Sequence, residues 1–511
     1  MNLLFELNLA NAPKGSREIA NTLYRQLKEA ILAGRLKSGA RLPSTRSART
    51  AFGVSRNTVQ EVYERLVHEG LATARHGSGT FVSNPAFELA FSEHNSLAGA
   101  PDRRLNPFWL GREVAGAMGF WQEPVRDAQS TVSVADLRPA LIDPKSFPFA
   151  TFRQIMVKQL RRLETRPPSF KSPQGNQGNF HLRRAISDHI ALTRAVACRP
   201  DEVLVTSGAQ QAFDLIARTL VKPGETVVAV EDPGYPPMRV PFAAAGARLV
   251  PVRVDAEGLV VGDIPPDANI ICACPSHQFP LGMSMSSARR AALLQFAAQT
   301  GAVIVEDDYD GEFRFDGNPL EALRTAESSD RVFYVGSFSK CMLPSLRLGF
   351  IVPPRWAKET LVVAKNALDW NCSVPLQLAV AAFITDGHLS RHVRRLRRMY
   401  RERRDHLLTL LGTRVGEALR PIPSSYGMHV AALTDGTINC EEVSAALVER
   451  GIQIHSLDRY YLGAAGQSGF VLSYASADEE ALAIAVDALA EALASAEPNS
   501  NGKRVMEPTL T

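Results

Sequence analysis

The sequence predicts an α/β protein: a large domain built on a mostly parallel sheet, preceded by a small helical module that ends in a two-stranded tip. Three observations carry this. From about Val132 onward, apolar runs of strand length alternate with helical stretches, the pattern of a sheet covered on both faces. Between residues 19 and 67, apolar side chains instead recur at helical spacing in three short blocks separated by turn residues. Charge is also split, because residues 1–83 carry 12 Lys and Arg against 6 Asp and Glu, which puts +6 there and −2 on the remainder of a chain of formal charge +4.

With 511 residues, 45% hydrophobic and 22% charged, the chain is too long for one ordinary core and has the composition of a globular protein. Its six cysteines (Cys198, Cys272, Cys274, Cys341, Cys372, Cys440) show no C-x-x-C spacing. Neither a zinc site nor a disulfide framework is expected, and reduced thiols of a cytoplasmic protein are. A basic leader with a long apolar segment is lacking, and no apolar run approaches the roughly 20 residues of a membrane span.

In the first module, Ile19, Leu23, Leu27, Ala30 and Ile31 predict a helix that Gly34 stops. After Leu42-Pro43, Ser44 caps a second helix to about Phe52. Gly53-Val54-Ser55 then turns into a third, Arg56 to His68, whose apolar face is Val59, Val62, Tyr63, Leu66 and Val67. Two short helices joined by a glycine-containing turn fit a helix-turn-helix. Gly70 to Val82 reads as two strands around a basic, glycine-rich tip. Ser55, Arg56, Asn57 and Thr58 offer donors at the start of the third helix, where a recognition helix meets base edges and phosphates, and Arg46 is placed to grip the backbone. The alternative is a small protein-interaction domain with a solvated basic face. The run Leu42-Pro43-Ser44, Arg46, Val54-Ser55-Arg56, Gly70, Gly77-Ser78-Gly79-Thr80-Phe81-Val82 resembles the winged helix-turn-helix of the GntR family over residues 1–83. The resemblance implies double-stranded DNA as partner and Arg46, Ser55, Arg56, Asn57, Thr58, His76 and Gly77 as its contacts.

From residue 84 to about 131 periodicity disappears and Pro, Gly, Ser, Asn and Arg accumulate. Aromatic residues persist there (Phe87, Phe91, Phe108, Trp109, Phe120, Trp121), so this linker is expected to dock in part on one of the domains.

In the large domain, strand-like runs cover Val203 to Thr206, Val227 to Val230, Asn269 to Ala273, Val303 to Glu306 and Val332 to Val335. Chemistry in such sheets collects at the carboxyl ends of the strands. The first run ends in Thr206-Ser207-Gly208-Ala209-Gln210-Gln211, which opens a helix; N–H groups there, with the Ser207 hydroxyl, suit a phosphate. The second ends in Glu231-Asp232-Pro233-Gly234-Tyr235, where Tyr235 either stacks on a flat ring or packs beneath its own turn. The third ends in Ser276-His277-Gln278-Phe279-Pro280. The fourth ends in Glu306-Asp307-Asp308-Tyr309-Asp310, carboxylates able to keep a pyridine nitrogen protonated; a metal site is the other reading, and no His or Cys ligand stands at suitable spacing. The fifth ends in Ser337-Phe338-Ser339-Lys340. A lysine desolvated there can lose its proton and attack a carbonyl while Ser337, Ser339 and Arg347 hold a phosphate, which is the equipment for a Schiff base with pyridoxal phosphate (PLP). The bland alternative is a surface Lys and Arg following a strand.

Taken together, the small-residue turn, Pro-Gly-Tyr, Ser-His-Gln-Phe-Pro, Asp-Asp-Tyr and Ser-Phe-Ser-Lys resemble the fold-type I aminotransferases over residues 132–495, and specifically the aminotransferase-like domain of MocR/GabR-type regulators. The resemblance implies Lys340 as the Schiff-base lysine, Asp307 as partner of the ring nitrogen and Tyr309 as donor to the ring hydroxyl. It implies Tyr235 on the ring face and Ser207, Gly208, Ala209, Ser337, Ser339 and Arg347 around the phosphate. Three positions depart from the aminotransferase pattern: Phe279 replaces a usual asparagine, Phe170 a usual tyrosine, and Val471 an arginine that often clamps a substrate carboxylate. Valine cannot make that bidentate bond, so turnover of an ordinary amino acid requires Arg239, Arg138 or another arginine in its place.

After Pro353 the chain is expected to be helical, then to form a small mixed subdomain over about residues 391–495. The arginine-rich stretch His392 to Asp405 is read as a solvated helix with Val393, Leu396, Tyr400 and Leu407 on its apolar face, a secondary DNA path being the alternative. Residues 496–511 are read as a disordered tail. The function expected is that of a cytoplasmic, PLP-dependent transcriptional regulator that senses an amino compound or PLP itself at Lys340, and the resemblance implies a head-to-tail homodimer. An active aminotransferase with an accessory DNA-binding module is the alternative.

Overall fold

The computed structural model describes residues 16–32, 35–37, 39–75, 79–83, 104–119, 134–139, 141–165, 175–315, 320–325, 330–463 and 466–496. Gly34, Phe170, His76, Gly77 and most of the expected tail lie outside them. The chain divides into two compact units, Met1–Leu105 and Asn106–Thr511.

In the first unit, helices α1 (Ser16–Leu32), α2 (Thr45–Phe52) and α3 (Arg56–His68) precede strands β1 (Ala72–Arg75) and β2 (Gly79–Val82), which pair antiparallel from Ala72↔Val82 to Arg75↔Gly79. Local chemistry sets these boundaries. Ser44 accepts the Ser47 N–H at 3.1 Å and so caps α2. Gly53, at φ +65°, ends that helix in the left-handed region that glycine tolerates, and two residues later Ser55 caps α3 by accepting the Thr58 N–H at 3.1 Å. The expected apolar faces meet, Leu23, Leu27 and Ala30 of α1 packing in one core with Val59, Val62 and Leu66 of α3.

The second unit opens with a 3₁₀ turn, Pro107–Leu110, and helix α4 (Arg112–Gly119), followed by β3 (Ala135–Asp136), α5 (Phe149–Thr165) and α6 (Phe180–Arg194). Strands β4 (Leu204–Thr206), β5 (Val227–Asp232), β6 (Arg248–Asp255), β7 (Gly258–Leu259), β8 (Ile270–Ala273), β9 (Val303–Asp308), β10 (Val332–Ser337) and β11 (Gly349–Val352) form one sheet in the order β4-β11-β10-β9-β8-β5-β6-β7. From β10 through β9, β8 and β5 to β6 the pairing is parallel, whereas β11 runs antiparallel to both β10 and β4. Helices α7 (Ala209–Leu220), α8 (Pro236–Ala244) and α9 (Ser287–Thr300) connect the strands, and α10 (Arg355–Leu368) follows β11. Both faces of the sheet are buried: Val228, Val230 and Val305 pack into one cluster, Ala229 and Ile304 into another.

Beyond it stand α11 (Val374–Thr385) and α12 (His388–Leu410), then an antiparallel sheet β12-β13-β16-β15 built from Arg420–Pro421, His429–Leu433, Gly469–Ser473 and His455–Ser456. Helix α13 (Cys440–Glu449), strand β14 (Ile452–Gln453), which pairs with β3, and helix α14 (Glu479–Ser495) complete the unit. The arginine-rich helix buries Val393, Leu396, Tyr400 and Leu407, the face expected of it.

Candidate cofactor site and nucleic-acid surface

The carboxyl ends of β9 and β10, the start of α7 and the turn after β5 open on one cavity of about 810 Å³. Asp307, Tyr309, Ser337, Ser339, Lys340, Arg347, Ala209 and Tyr235 all line it, so eight of the ten expected cofactor residues converge from segments far apart in the chain.

Lys340 is 6% exposed, and burial pushes its ammonium down to about 7 against the pull of Asp310 and Asp307. Two adjacent acids on β9 face different surroundings. Asp308 is held by Arg194, whose Nε donates to Oδ2 at 2.6 Å and Nη2 to Oδ1 at 3.1 Å, and by the Tyr334 hydroxyl at 2.5 Å. Asp307 lines the cavity instead, and its Oδ1 is buried with no hydrogen-bond partner among the described residues. Burial, reinforced by the neighbouring Asp308, Asp310 and Glu231, raises its carboxyl well above the usual range. A buried carboxyl oxygen without a partner is costly unless something occupies the space before it.

At the other end of the cavity, Gly208 caps α7 at φ +81°, and a Cβ there would come within 3.1 Å of the Arg347 guanidinium. Arg347 itself adopts the left-handed region at φ +48°, an uncommon conformation for arginine, and donates from Nη2 to the Ser207 carbonyl at 3.2 Å. The helix start, this guanidinium and the Ser337 and Ser339 hydroxyls form an anion cradle. Ser207 sits at its edge: its hydroxyl lies 3.4 Å from Cys372 Sγ and its N–H donates to Gln211 at 2.7 Å. Amine, orphaned carboxyl oxygen and anion cradle fit the aldehyde, ring nitrogen and phosphate of PLP. Tyr309 completes the ring side, with its hydroxyl 2.8 Å from His277 Nδ1, which lies 2.8 Å from Asp310 Oδ2.

The departures are also placed. Phe279 packs edge-on to Tyr235 and Tyr309, at centroid distances of 5.5 and 5.8 Å, so an aromatic box stands where an asparagine would have donated. Val471 is fully buried in β16 among Tyr460, Leu281 and Ala431. Neither suggested arginine replaces it: Arg239 donates to the carbonyls of Tyr460 at 2.6 Å and Glu231 at 3.2 Å, and Arg138 forks onto Asp136 at 2.9 and 2.6 Å.

Sequence reasoning missed the cavity wall formed by Trp109, Val114 and Ala117, together with Val240, Pro241 and Leu368. The persistence of aromatic residues in the linker was the available signal: α4 lies against α8, with the 3₁₀ turn Pro107–Leu110 against α4.

In the first unit, Arg46, Arg56 and Asn57 are exposed on α2 and α3. Ser55 spends its hydroxyl on the cap and on Thr58 Oγ1 at 2.8 Å, and Thr58 is buried. The arginines and Asn57 are therefore the residues presented, while Ser55 and Thr58 shape the helix start. Gln60, also exposed on α3, is a further polar group that the sequence reading passed over.

Residues 146–489 match the family of class I and II aminotransferases, and residues 19–82 match the gntR family of bacterial regulatory proteins. The chain is 35% identical over 474 residues to the probable rhizopine catabolism regulatory protein MocR of Rhizobium meliloti, covering 92% of each chain. It is 31% identical over 480 residues to the pyridoxine biosynthesis transcriptional regulator PdxR of Corynebacterium glutamicum, covering 94% of this chain and 97% of that one. Among solved structures, the α-aminoadipate aminotransferase LysN of Thermus thermophilus, complexed with N-(5'-phosphopyridoxyl)-L-leucine, superposes with a TM-score of 0.65 at 27% identity, over 74% of this chain and 96% of that one.

Proposed function

The chain belongs to the MocR-type regulators, in which a GntR-type module precedes a class I and II aminotransferase domain, and on that premise we propose that it is a PLP-binding transcriptional regulator that senses PLP or an amino compound at Lys340. The observation that carries this is one cavity lined by both Lys340, an amine near neutrality, and Asp307, a buried carboxyl whose Oδ1 lacks a partner.

When bound, PLP supplies an aldehyde for a primary amine and a protonated ring that withdraws electrons from it. Lys340 Nζ would be the nucleophile, and Asp307 would keep the ring nitrogen protonated. Ser337, Ser339, Arg347 and the α7 amide groups hold the phosphate. Tyr235 and Phe279 wall the ring. With PLP bound, Lys340 would tether it in the effector-free state, and the difference between a tethered and a free Lys340 is what would distinguish the two states. DNA affinity changes only as far as the effector binds those states differently.

Sealing of the Val471 position and commitment of Arg239 and Arg138 elsewhere favour sensing over turnover. The retained Lys340 and Asp307 pair supports the second reading, an active aminotransferase. We further assign the protein to the cytoplasm as a head-to-tail homodimer that binds double-stranded operator DNA through Arg46, Arg56 and Asn57. Titrating DNA binding of the full-length protein with PLP alone, then with amines, separates a PLP sensor from an amine sensor. Single-turnover release of a keto acid identifies the enzyme. Loss of the bound-cofactor absorbance in Lys340→Ala is expected; an unchanged band overturns the assignment.

A further inference from the structure

We propose that the segment Pro107–Gly119 is the ligand-reading wall of the cavity, that it selects a primary amine bearing an apolar side chain, and that seating this side chain couples the cavity to the DNA-binding module. The inference rests on the cofactor reading above and names the ligand class for that site.

The 3₁₀ turn Pro107–Leu110 and α4 belong to the second unit, and α4 lies against α8. From this segment Trp109, Val114 and Ala117 reach the same cavity as Lys340 and Asp307. Trp109 keeps 56% of its surface exposed, although it is large and apolar. An indole placed at the mouth of a cavity contributes little to the fold there and offers a broad face to a ligand.

The chemistry of the surrounding wall agrees. Val240 and Pro241 of α8 and Leu368 of α10 continue the apolar surface. Besides Lys340, Arg347 is the one cationic residue among the described lining residues, and it stands beside Gly208 in the anion cradle. A second carboxylate on the ligand would lose water there without a matching partner, and a second ammonium would meet, besides the Asp307 that serves the ring, only Asp214, whose Oδ2 already accepts from Arg218 Nε at 2.7 Å, whereas an alkyl or aryl group gains from leaving water.

The coupling follows from connectivity. Residue 107 lies 24 positions after Ser83, where the described part of the DNA-binding module ends. The wall that the side chain touches is therefore the first described element on the chain path from that module into the cofactor-binding domain. A ligand seated there acts as a switch to the extent that it binds more tightly with α4 held against α8 than with α4 released.

The test uses full-length protein loaded with PLP, its absorbance followed during titration with isoamylamine and 2-phenylethylamine, 5-aminopentanoate and putrescine. The apolar amines are expected to bind about tenfold or more tightly than the doubly charged ones. Trp109→Ala is expected to weaken them by about tenfold, to move PLP affinity far less, and to shrink the effect of the amine on operator affinity. Ala117→Phe, which fills the wall, should exclude 2-phenylethylamine while admitting methylamine. Tighter binding of 5-aminopentanoate or putrescine, or unchanged amine affinity in Trp109→Ala, overturns the inference. A changed oligomeric state with unchanged amine affinity also overturns it, assigning Trp109 to a subunit contact. If wild-type protein takes up no PLP, the cofactor reading itself has failed; if PLP attaches and Trp109→Ala is silent, only this inference has.

Discussion

At pH 7 an ordinary lysine, with its pKa of 10.5, is neutral in about one molecule in 3,000, whereas Lys340, brought down to about 7 by burial, is neutral in about half. The difference is about a thousandfold in nucleophilic amine, equivalent to about 4 kcal/mol. The perturbation is pH itself, applied to cofactor-free protein mixed with PLP in a stopped-flow absorbance experiment. Attachment to Lys340 should quicken about tenfold per pH unit below 7 and level off above it. N-acetyl-lysine under the same conditions should keep climbing to about pH 10. Asp310 is the foremost group holding Lys340 towards its charged form, so Asp310→Asn should move the levelling point to lower pH. A rate that rises in parallel with that of N-acetyl-lysine to pH 9 would refute the claim that the cavity activates this lysine.

The same depression has a stability signature. Between about pH 7 and 10.5 the unfolded chain holds the Lys340 proton while the folded chain has lost it, so this group's contribution to stability rises with pH through that window, by at most about 1.4 kcal/mol per pH unit. Urea midpoints of cofactor-free wild type should accordingly approach those of Lys340→Met as pH rises from 7 to 9, and a constant gap would contradict this. Asp307→Asn should lower PLP affinity at least tenfold, yet leave the cofactor-free protein as stable as wild type or about 1 kcal/mol more stable, because it replaces an ionisable carboxyl, whose charge burial and the neighbouring acids disfavour, with a neutral amide of the same shape; equilibrium dialysis and thermal unfolding read the two effects. Val471→Arg should not install a carboxylate clamp but cost about 3–5 kcal/mol, since the new charge would be buried among Tyr460, Leu281 and Ala431; a gain in keto acid release would show otherwise. In the first unit, Arg56→Ala should weaken operator binding and reduce the salt slope by about one with stability unchanged. Ser55→Ala, by contrast, should cost about 1 kcal/mol of stability through loss of the α3 cap.

The parts legible in the sequence were those whose signals are local. Ser44, Gly53 and Ser55 marked the boundaries of α2 and α3 because caps and left-handed turns depend on neighbouring residues. The strands buried on both faces stood out as continuous apolar runs. Strand β6 did not, since Pro251 and alternating exposure disguise it, and β11 was hidden because Gly349 and Phe350 read as the tail of the lysine motif. Asp307 and Asp308 are chemically identical neighbours. What separates them is Arg194, 114 residues away, which saturates one and leaves the other facing the cavity. Residues 107–119 carried no long period because they form a short turn and a two-turn helix, the helix lying against α8.

Because β11 runs back between β10 and β4, Arg347 meets Ser207 and Gly208 across 140 positions of chain. The anion cradle is thus a clasp whose two halves emerge from the ribosome at widely separated times. A nascent chain that has released β4 and α7 presents only half of it, and the Arg347 half is missing until β11 has been made and paired. If the cradle holds the cofactor's phosphate as proposed, a chain whose β11 has not paired would lack the Arg347 half of it, and cofactor bound to the closed sheet would add its binding energy to that state.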